Sequence, residues 1–281
     1  MYWFSAGAWR RAVLAAAVLA FGVVASTHAA DRVRVGKAPG LAWTFVPIDI
    51  GIEEGLFAKY GIVVDVANLA GDAKVQQALA ADRIDIGLGS GAGLAFIAKG
   101  SPAIGVAAFA GAPRNISLIV RVDAPIKTLA DMKGKLVADS TTGSLSDWLA
   151  RQMGITAGWG PDGIKRVPLG AIPASVAALE AKQVDGIVLA TETGFQLEAQ
   201  QKGRMLVSMD NFAPNFITHV VFARRAFLAA HPDAVHRFLK DFAASIPFLK
   251  GNKEKTDAIA ERVIHVPPAV AEHIYDYEPR C

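Results

Sequence analysis

The chain has 281 residues, 29 Lys and Arg against 26 Asp and Glu, a formal net charge of +3 and 52% hydrophobic residues. That length suits two domains of ordinary size, and the near balance of charge, with no basic run interleaved with aromatics, argues against a nucleic-acid partner. The single cysteine, Cys281, rules out a disulfide framework or a thiolate metal site within one chain.

The first 29 residues read as a leader. Arg10 and Arg11 precede an apolar run over residues 12–25, AVLAAAVLAFGVVA, a length right for a signal h-region and short for a membrane span. Thr27 and Ala29 put small side chains at −3 and −1 of a cut after residue 29; the alternative is a retained anchor. Removing the leader takes away two basic residues and no acids, leaving 27 against 26 and a net charge of +1. An exported chain without disulfides fits the bacterial periplasm.

From residue 32 the pattern alternates strand and helix. RVRVG at 32–36 is a strand. A helix starts near Pro47, and a further turn over 56–60 closes at Gly61. A strand at 62–67 leads to a helix at 72–81, with Asp72 as its N-cap. A buried strand at 84–88 leads to a helix over 90–99, and 103–109 is a further strand. The phase changes at 111–114. Residues 116–120 form a strand crossing into a second lobe, followed by a turn at 129–132 and a strand at 136–138. A helix opens at Ser144, whose S-x-x-D pattern with Asp147 is a capping box, and Gly154 ends it. Strands at 165–168, 186–190 and 205–209 enclose a helix at 173–182. A second crossing strand at 216–223 returns the chain to the first lobe, and amphipathic helices follow at 225–230, 233–249 and 254–263.

Two stretches repeat one design: ALAADRIDIGLGSGAGL at 78–94 and ALEAKQVDGIVLATETGF at 178–195. Each runs from a helix end through a charged turn and an Asp into a short apolar strand, then into small and hydroxyl residues. Asp85 and Asp185 hold the same place in the two copies and are read as anchoring their own turns. Loops at the carboxyl ends of parallel strands are where open α/β sheets hold ligands, so two such units suggest two lobes facing one cleft.

The residues 51–60 (GIEEGLFAKY), 78–89, 125–134 (PIKTLADMKG) and 221–239 resemble the solute-binding proteins of ABC importers, in the nitrate, sulfonate and taurine branch that includes thiamine-pyrimidine-precursor binders. The resemblance implies an α/β, two-lobed periplasmic-binding-protein fold of type II: two Rossmann-like lobes joined by a two-stranded hinge. It divides the chain into a signal peptide at 1–29, lobe one at 30–112, lobe two at 113–218, and a return segment to lobe one at 219–281. It implies a periplasmic monomer that captures a small anion or heterocycle and hands it to an ABC permease and ATPase, with no catalysis, metal or cofactor. Such chains usually continue beyond a point like residues 275–277, so a shortened end could leave apolar surface near 264–277 uncovered.

A cleft can hold an anion on helix amino ends, whose free N–H groups and local dipole favour negative charge. Ser90, Gly91 and Ala92 offer this in lobe one; Ser140, Thr141, Thr142, Gly143 and Ser144 offer it in lobe two. Ordinary N-capping accounts for Ser144 fully and Ser90 partly. Trp43 and Thr44 follow the first strand, and Trp43 is either a packing surface for solute or a half-buried core residue. Thr191, Glu192 and Thr193 end the second copy's strand. Glu192 either binds an amine or is a solvated loop acid, and it argues against plain sulfate or phosphate. Arg114 reads as an exposed hinge charge, His219 as a structural His and Lys37 as solvated. An enzyme on the same fold, pyrimidine-synthase-like, and a sensor-associated binding module are the rival readings. The His residues at 231 and 236 do not share a helical face, and there is no G-x-x-x-x-G-K-[ST] loop.

Overall fold

The computed structural model describes residues 30–277; the leader lies outside the described residues. The first sheet collects β1 (Asp31–Lys37), β2 (Ile62–Asn68), β3 (Ile86–Ser90), β4 (Ala103–Ala110) and β10 (His219–Arg224) in the order β2-β1-β3-β10-β4. The second collects β5 (Ile116–Arg121), β6 (Leu136–Asp139), β7 (Lys165–Pro168), β8 (Gly186–Ala190) and β9 (Gly203–Ser208) in the order β7-β6-β8-β5-β9. The two orders are the same pattern. In each, the second strand is parallel to its neighbour on either side, β1 between β2 and β3, β6 between β7 and β8. In each, the antiparallel member is the strand reached directly from the other lobe: β5 lies between β8 and β9, and β10 between β3 and β4.

The helices cover the sheets because the βαβ connections require it. In the first lobe these are α1 (Val46–Glu53), α2 (Leu56–Lys59), α3 (Asp72–Ala80) and α4 (Leu94–Ala98); in the second, α5 (Leu145–Thr156), α6 (Ile172–Glu180) and α7 (Thr191–Ala199). The strands β3 and β8 are buried along their whole length, as strands with both faces covered must be. The return strand leads into α8 (Arg225–Ala230), α9 (Pro232–Gly251), α10 (Lys253–Ile264) and α11 (Pro268–Tyr277). Phe238 and Phe242 of α9 sit in the same core as Val33 and Val35 of β1. Among the described residues no helix is long and apolar enough to cross a membrane.

The paired aspartates work across strands rather than within their turns. Asp85 accepts from the Arg34 backbone N–H at 3.0 Å and from its guanidinium at 2.9 and 2.7 Å, and from Arg224 at 3.0 Å. Asp185 accepts from the Leu136 backbone N–H at 2.9 Å. Each acid therefore fastens the entry of its buried strand to the neighbouring parallel strand. Burial opposes ionisation of Asp85, but its arginine partners outweigh that and hold the carboxyl below the ordinary range.

Four further expectations are corrected. Residues 191–199 form α7, although TETG carries two β-branched threonines and a glycine, all poor helix formers; Gly194 is needed because a Cβ there would lie 2.6 Å from Met205. The helix over 90–99 is split: Ser90 ends β3, Gly91–Gly93 is a 3-10 turn, and α4 begins at Leu94. Lys37 is buried, its Nζ 2.8 Å from Asp49 of α1. The segment 264–277 is covered: Ile264, Val266, Val270, Ala271 and Ile274 are buried in a cluster with Trp43, Val46 and Ile50 of lobe one and Phe195 of α7. α11 thus bridges both lobes.

Candidate functional site

The C-terminal ends of β1 and β3 in one sheet face those of β6 and β8 in the other, and a cavity of about 50 Å³ lies between them. Lobe one contributes Ala38, Pro39, Ala42 and Thr44 after β1, Gly71 and Asp72 at the start of α3, and Ser90 at the end of β3. Lobe two contributes Ser140, Leu145 and Ser146 after β6, Gly170 before α6 and Ile172 at its start, and Val188, Leu189 and Ala190 of β8. Asn115, Ile116 and His219, where the chain passes between lobes, complete the wall.

The lobes are closed on one another by specific bonds. The Asp72 carboxylate accepts from Ser90 N–H at 2.7 Å and Ser90 Oγ–H at 2.8 Å, and from the Leu145 N–H of the opposite lobe at 3.1 Å. Burial pushes this carboxyl up, against the pull of those donors. The Glu192 carboxylate accepts from the Trp43 N–H at 2.8 Å, also across the interface. Its full burial outweighs that bond and raises its pKa to about 7. Where the two interlobe passages meet, Asn115 Nδ2 lies 3.2 Å from His219 Nε2. The His219 ring packs between Phe45 and Phe109, and burial lowers its pKa to about 4, so it is neutral near pH 7.

The residues singled out from sequence fall in different places. Thr44 and Ser90 line the cavity. Gly91 and Ala92 lie behind Ser90 in the 3-10 turn, where Ala92 N–H donates to Ser90 Oγ at 3.2 Å. In the second lobe the wall is made by Ser140, Leu145 and Ser146, with the singled-out residues between them. Thr142 is exposed. Ser144 caps α5 and accepts from the Asp147 N–H. Gly143, at φ +81°, donates its N–H to Asp147 at 2.9 Å. Thr141 stands against Gly71, where a Cβ would meet Thr141 Oγ1 at 2.6 Å. Trp43 packs edge-on to Tyr275 at 6.4 Å and lines a separate cavity of about 230 Å³ with Phe109, Leu249 and Lys250. Thr191 is buried at the start of α7 and donates its N–H to the Asn115 carbonyl at 2.9 Å. Glu192 is buried, not a solvated loop acid.

Ser140, offered by the sequence with residues 141–144, does line the cavity, whereas sequence reasoning missed Asp72, Asn115, Ser146 and Gly170 as lining residues. Asp72 was expected as an N-cap; Gly71 caps α3 instead, at φ +84°, and the Asp72 side chain turns to Ser90 and Leu145. One signal was present. Gly71 and Gly170 stand at the same offset between the two lobes as Asp85 and Asp185, within a residue, and both have positive φ and line the cavity. Asp139, at the end of β6, is raised to about 6 by burial and by the nearby Asp147. Asp147 itself is bound to Arg166 at 2.8 Å. Among the described residues no group of three or more His, Cys, Asp or Glu is placed to hold a metal.

No curated protein sequence matches the chain. Its fold is that of several solved structures. The alkanesulfonate-binding protein SsuA from Xanthomonas axonopodis pv. citri, bound to MOPS, shares 18% identity over 88% of this chain and 83% of that one, with a TM-score of 0.79. The periplasmic aliphatic sulphonate binding protein SsuA from Escherichia coli shares 21% over 88% and 83%, with a TM-score of 0.70. The periplasmic nitrate-binding protein NrtA from Synechocystis PCC 6803 shares 16% over 85% and 68%, with a TM-score of 0.70. These likenesses establish a periplasmic-binding-protein fold. The NMT1/THI5-like family model matches residues 43–255, most of the sequence, and the chain belongs to that family.

Proposed function

We propose that this chain is the substrate-binding component of an ABC importer. It captures a small solute, an organic or inorganic anion or a heterocycle of the sulfonate, nitrate, taurine or pyrimidine-precursor class, in the cleft between its lobes. The carrying observation is the cavity itself, walled by the C-terminal strand ends of both sheets and bounded by interlobe bonds at Asp72 and Glu192. A ligand held there touches both lobes at once, so its binding energy favours the closed form. The passages at residues 111–115 and 216–221 act as the hinge, and the closed shape is what a permease with its ATPase reads. The protein works as a periplasmic monomer after removal of the leader, and it binds rather than transforms. The buried acids fit that role, since Asp72 and Glu192 tie the lobes together and Asp147 is held by Arg166.

Thermal-shift screening of the leader-free protein against small acids and nitrogen heterocycles tests this reading. A true solute raises Tm in proportion to the logarithm of its concentration above Kd and is recovered chemically unchanged. Turnover of the stabilising compound, or stabilisation by a compound that binds equally well after the cleft is blocked, contradicts it.

A further inference from the structure

The second cavity, of about 230 Å³, lies outside the cleft. Its lining comes from lobe one and the first interlobe passage, with no residue between 116 and 208. Trp43, Pro47, Phe109, Ile246 and Leu249 form an apolar wall. Thr44 and Asn115 line both cavities, so they stand between the two. Lys250, in the last turn of α9, is the only charged lining residue. Its side chain is exposed and has no ion-pair partner among the described residues. The carbonyls at this helix end would repel an anion if they were free, but they are occupied. Phe248 O accepts from Asn252 at 2.9 Å, Leu249 O from Thr256 at 3.1 Å and Lys250 O from Tyr275 at 2.6 Å. The wall is also tied to lobe closure. The Trp43 N–H is held by Glu192 across the interface. The Ala110 and Gly111 carbonyls both accept from the Thr218 N–H at 3.0 Å, joining the two interlobe passages. The Asn115 carbonyl accepts from Thr191 of α7 at 2.9 Å.

We propose that this hinge-side pocket is an effector site for a small carboxylate with an aromatic or branched apolar body, and that its occupant favours closure of the lobes. The site stands on its own geometry; its effect on closure rests on the solute-binding reading. Volume sets the size of the occupant. An apolar cavity of about 150 Å³ holds a benzene ring, so about 230 Å³ takes one ring with its substituent. The body packs on Trp43, Phe109 and Leu249, and the carboxylate pairs with Lys250 at the exposed rim. The bonds from Glu192 to Trp43 and from Thr218 to residues 110–111 set these walls in the closed form. An occupant that fits them binds that form better than the open one and shifts the equilibrium by the difference. By reciprocity it raises the affinity of the cleft for its solute, and the solute raises the affinity of the pocket.

The test of the site is calorimetric titration of the leader-free protein with benzoate and with its neutral isostere benzamide. The expected result is a benzoate Kd below about 1 mM, with benzamide at least about fivefold weaker. Lys250→Met keeps the apolar stem on an exposed position and is expected to weaken benzoate at least about fivefold. Benzoate that does not bind, that binds no better than benzamide, or that binds Lys250→Met and wild type alike overturns the site. Closure is read separately, as the distance between spin labels on Ala67→Cys and Ala174→Cys in a Cys281→Ser background. Benzoate at its wild-type Kd is expected to raise the short-distance population, and to raise it at most about half as much in Lys250→Met. Bound benzoate that leaves the distribution unchanged, or lengthens it, overturns the effector role. Each of these outcomes leaves the cleft's own solute to be tested on its own. A compound held in the cleft keeps its affinity in Lys250→Met, so running the solute screen on that variant as well separates binders of the two cavities.

Discussion

The carboxylate of Glu192 and the backbone N–H of Trp43 lie 149 residues apart in sequence and 2.8 Å apart in space, joining the first turn of α7 to the loop after β1 across the interface between lobes. Lobe opening would return both groups to water. Burial raises the Glu192 pKa from 4.5 to about 7, so closure favours the protonated acid.

The sign of the pH effect follows. Between about pH 4.5 and 7 the folded, closed protein holds a proton on Glu192 that the unfolded chain releases, so stability from this group falls as pH rises through that window. Glu192→Gln keeps an acceptor for Trp43 and removes the charge. It is expected to raise stability at pH 8 by about 1–3 kcal/mol and to change little at pH 5. Thermal melts of both proteins at the two pH values check this; parallel pH profiles would contradict it.

His219 works in the opposite direction. Its pKa is lowered from 6.5 to about 4, so the unfolded chain binds the extra proton, and stability from this group is lost as pH falls from 6.5 towards 4. The two effects oppose each other between pH 4.5 and 6.5, where Asp139, raised to about 6, acts in the same direction as Glu192, so the contribution of Glu192 is read as the difference between the Glu192→Gln and wild-type profiles. Titration of the His219 ring by NMR should show a neutral imidazole at pH 5.5. A midpoint near 6.5 would show that the ring is hydrated and the hinge packing wrong.

Gly71 and Gly170 are equivalent turns with different surroundings. A Cβ on Gly71 would lie 2.6 Å from Thr141 Oγ1 and 2.7 Å from Ser140 Oγ in the other lobe, whereas one on Gly170 would meet nothing within 4 Å. Both have φ near +80°, so alanine costs each about 1 kcal/mol of backbone strain. Gly71→Ala should in addition weaken solute binding at least tenfold by holding the lobes apart. Equal affinities for the two variants would mean that closure does not bring Gly71 against residues 140–141.

The two aspartates that mirror one another should differ in their contribution to stability. Asp85 is buried and bound to two arginines and a backbone N–H; the Asp185 side chain is one-third exposed, with one backbone bond and Lys135 at 3.7 Å. Urea denaturation should give about 2–3 kcal/mol for Asp85→Ala and about 1 kcal/mol for Asp185→Ala. Equal losses would mean that the arginines add nothing to the strand-to-strand bond.

These contrasts also mark what a single sequence carries. Strands β3 and β8 were legible because their apolar runs are local and bounded by Asp and by small residues. The two-lobed pattern was legible because it occurs twice. α7 was not, because TETGFQLEA owes its helix to burial against Met205 and α11 rather than to its own propensities. At the site, Ser90 could be placed since it ends a buried strand, and the 140–144 loop since it follows one. Asp72 reads locally as a cap, and its role depends on Leu145, 73 residues further on. Lys37 read as solvated for the same reason, since its partner Asp49 is brought to it by the packing of α1 on β1.

The distance across the cleft mouth tests the account most directly. Residues 68–70 of lobe one and 170–173 of lobe two face each other there, and Ala67 and Ala174 beside them are exposed. Spin labels on Ala67→Cys and Ala174→Cys, with Cys281→Ser, allow that distance to be read by pulsed electron resonance. The account predicts a broad, longer distribution without solute that collapses to a single short distance when a stabilising compound from the screen is added. One unchanged distribution, with and without that compound, would contradict closure on a solute.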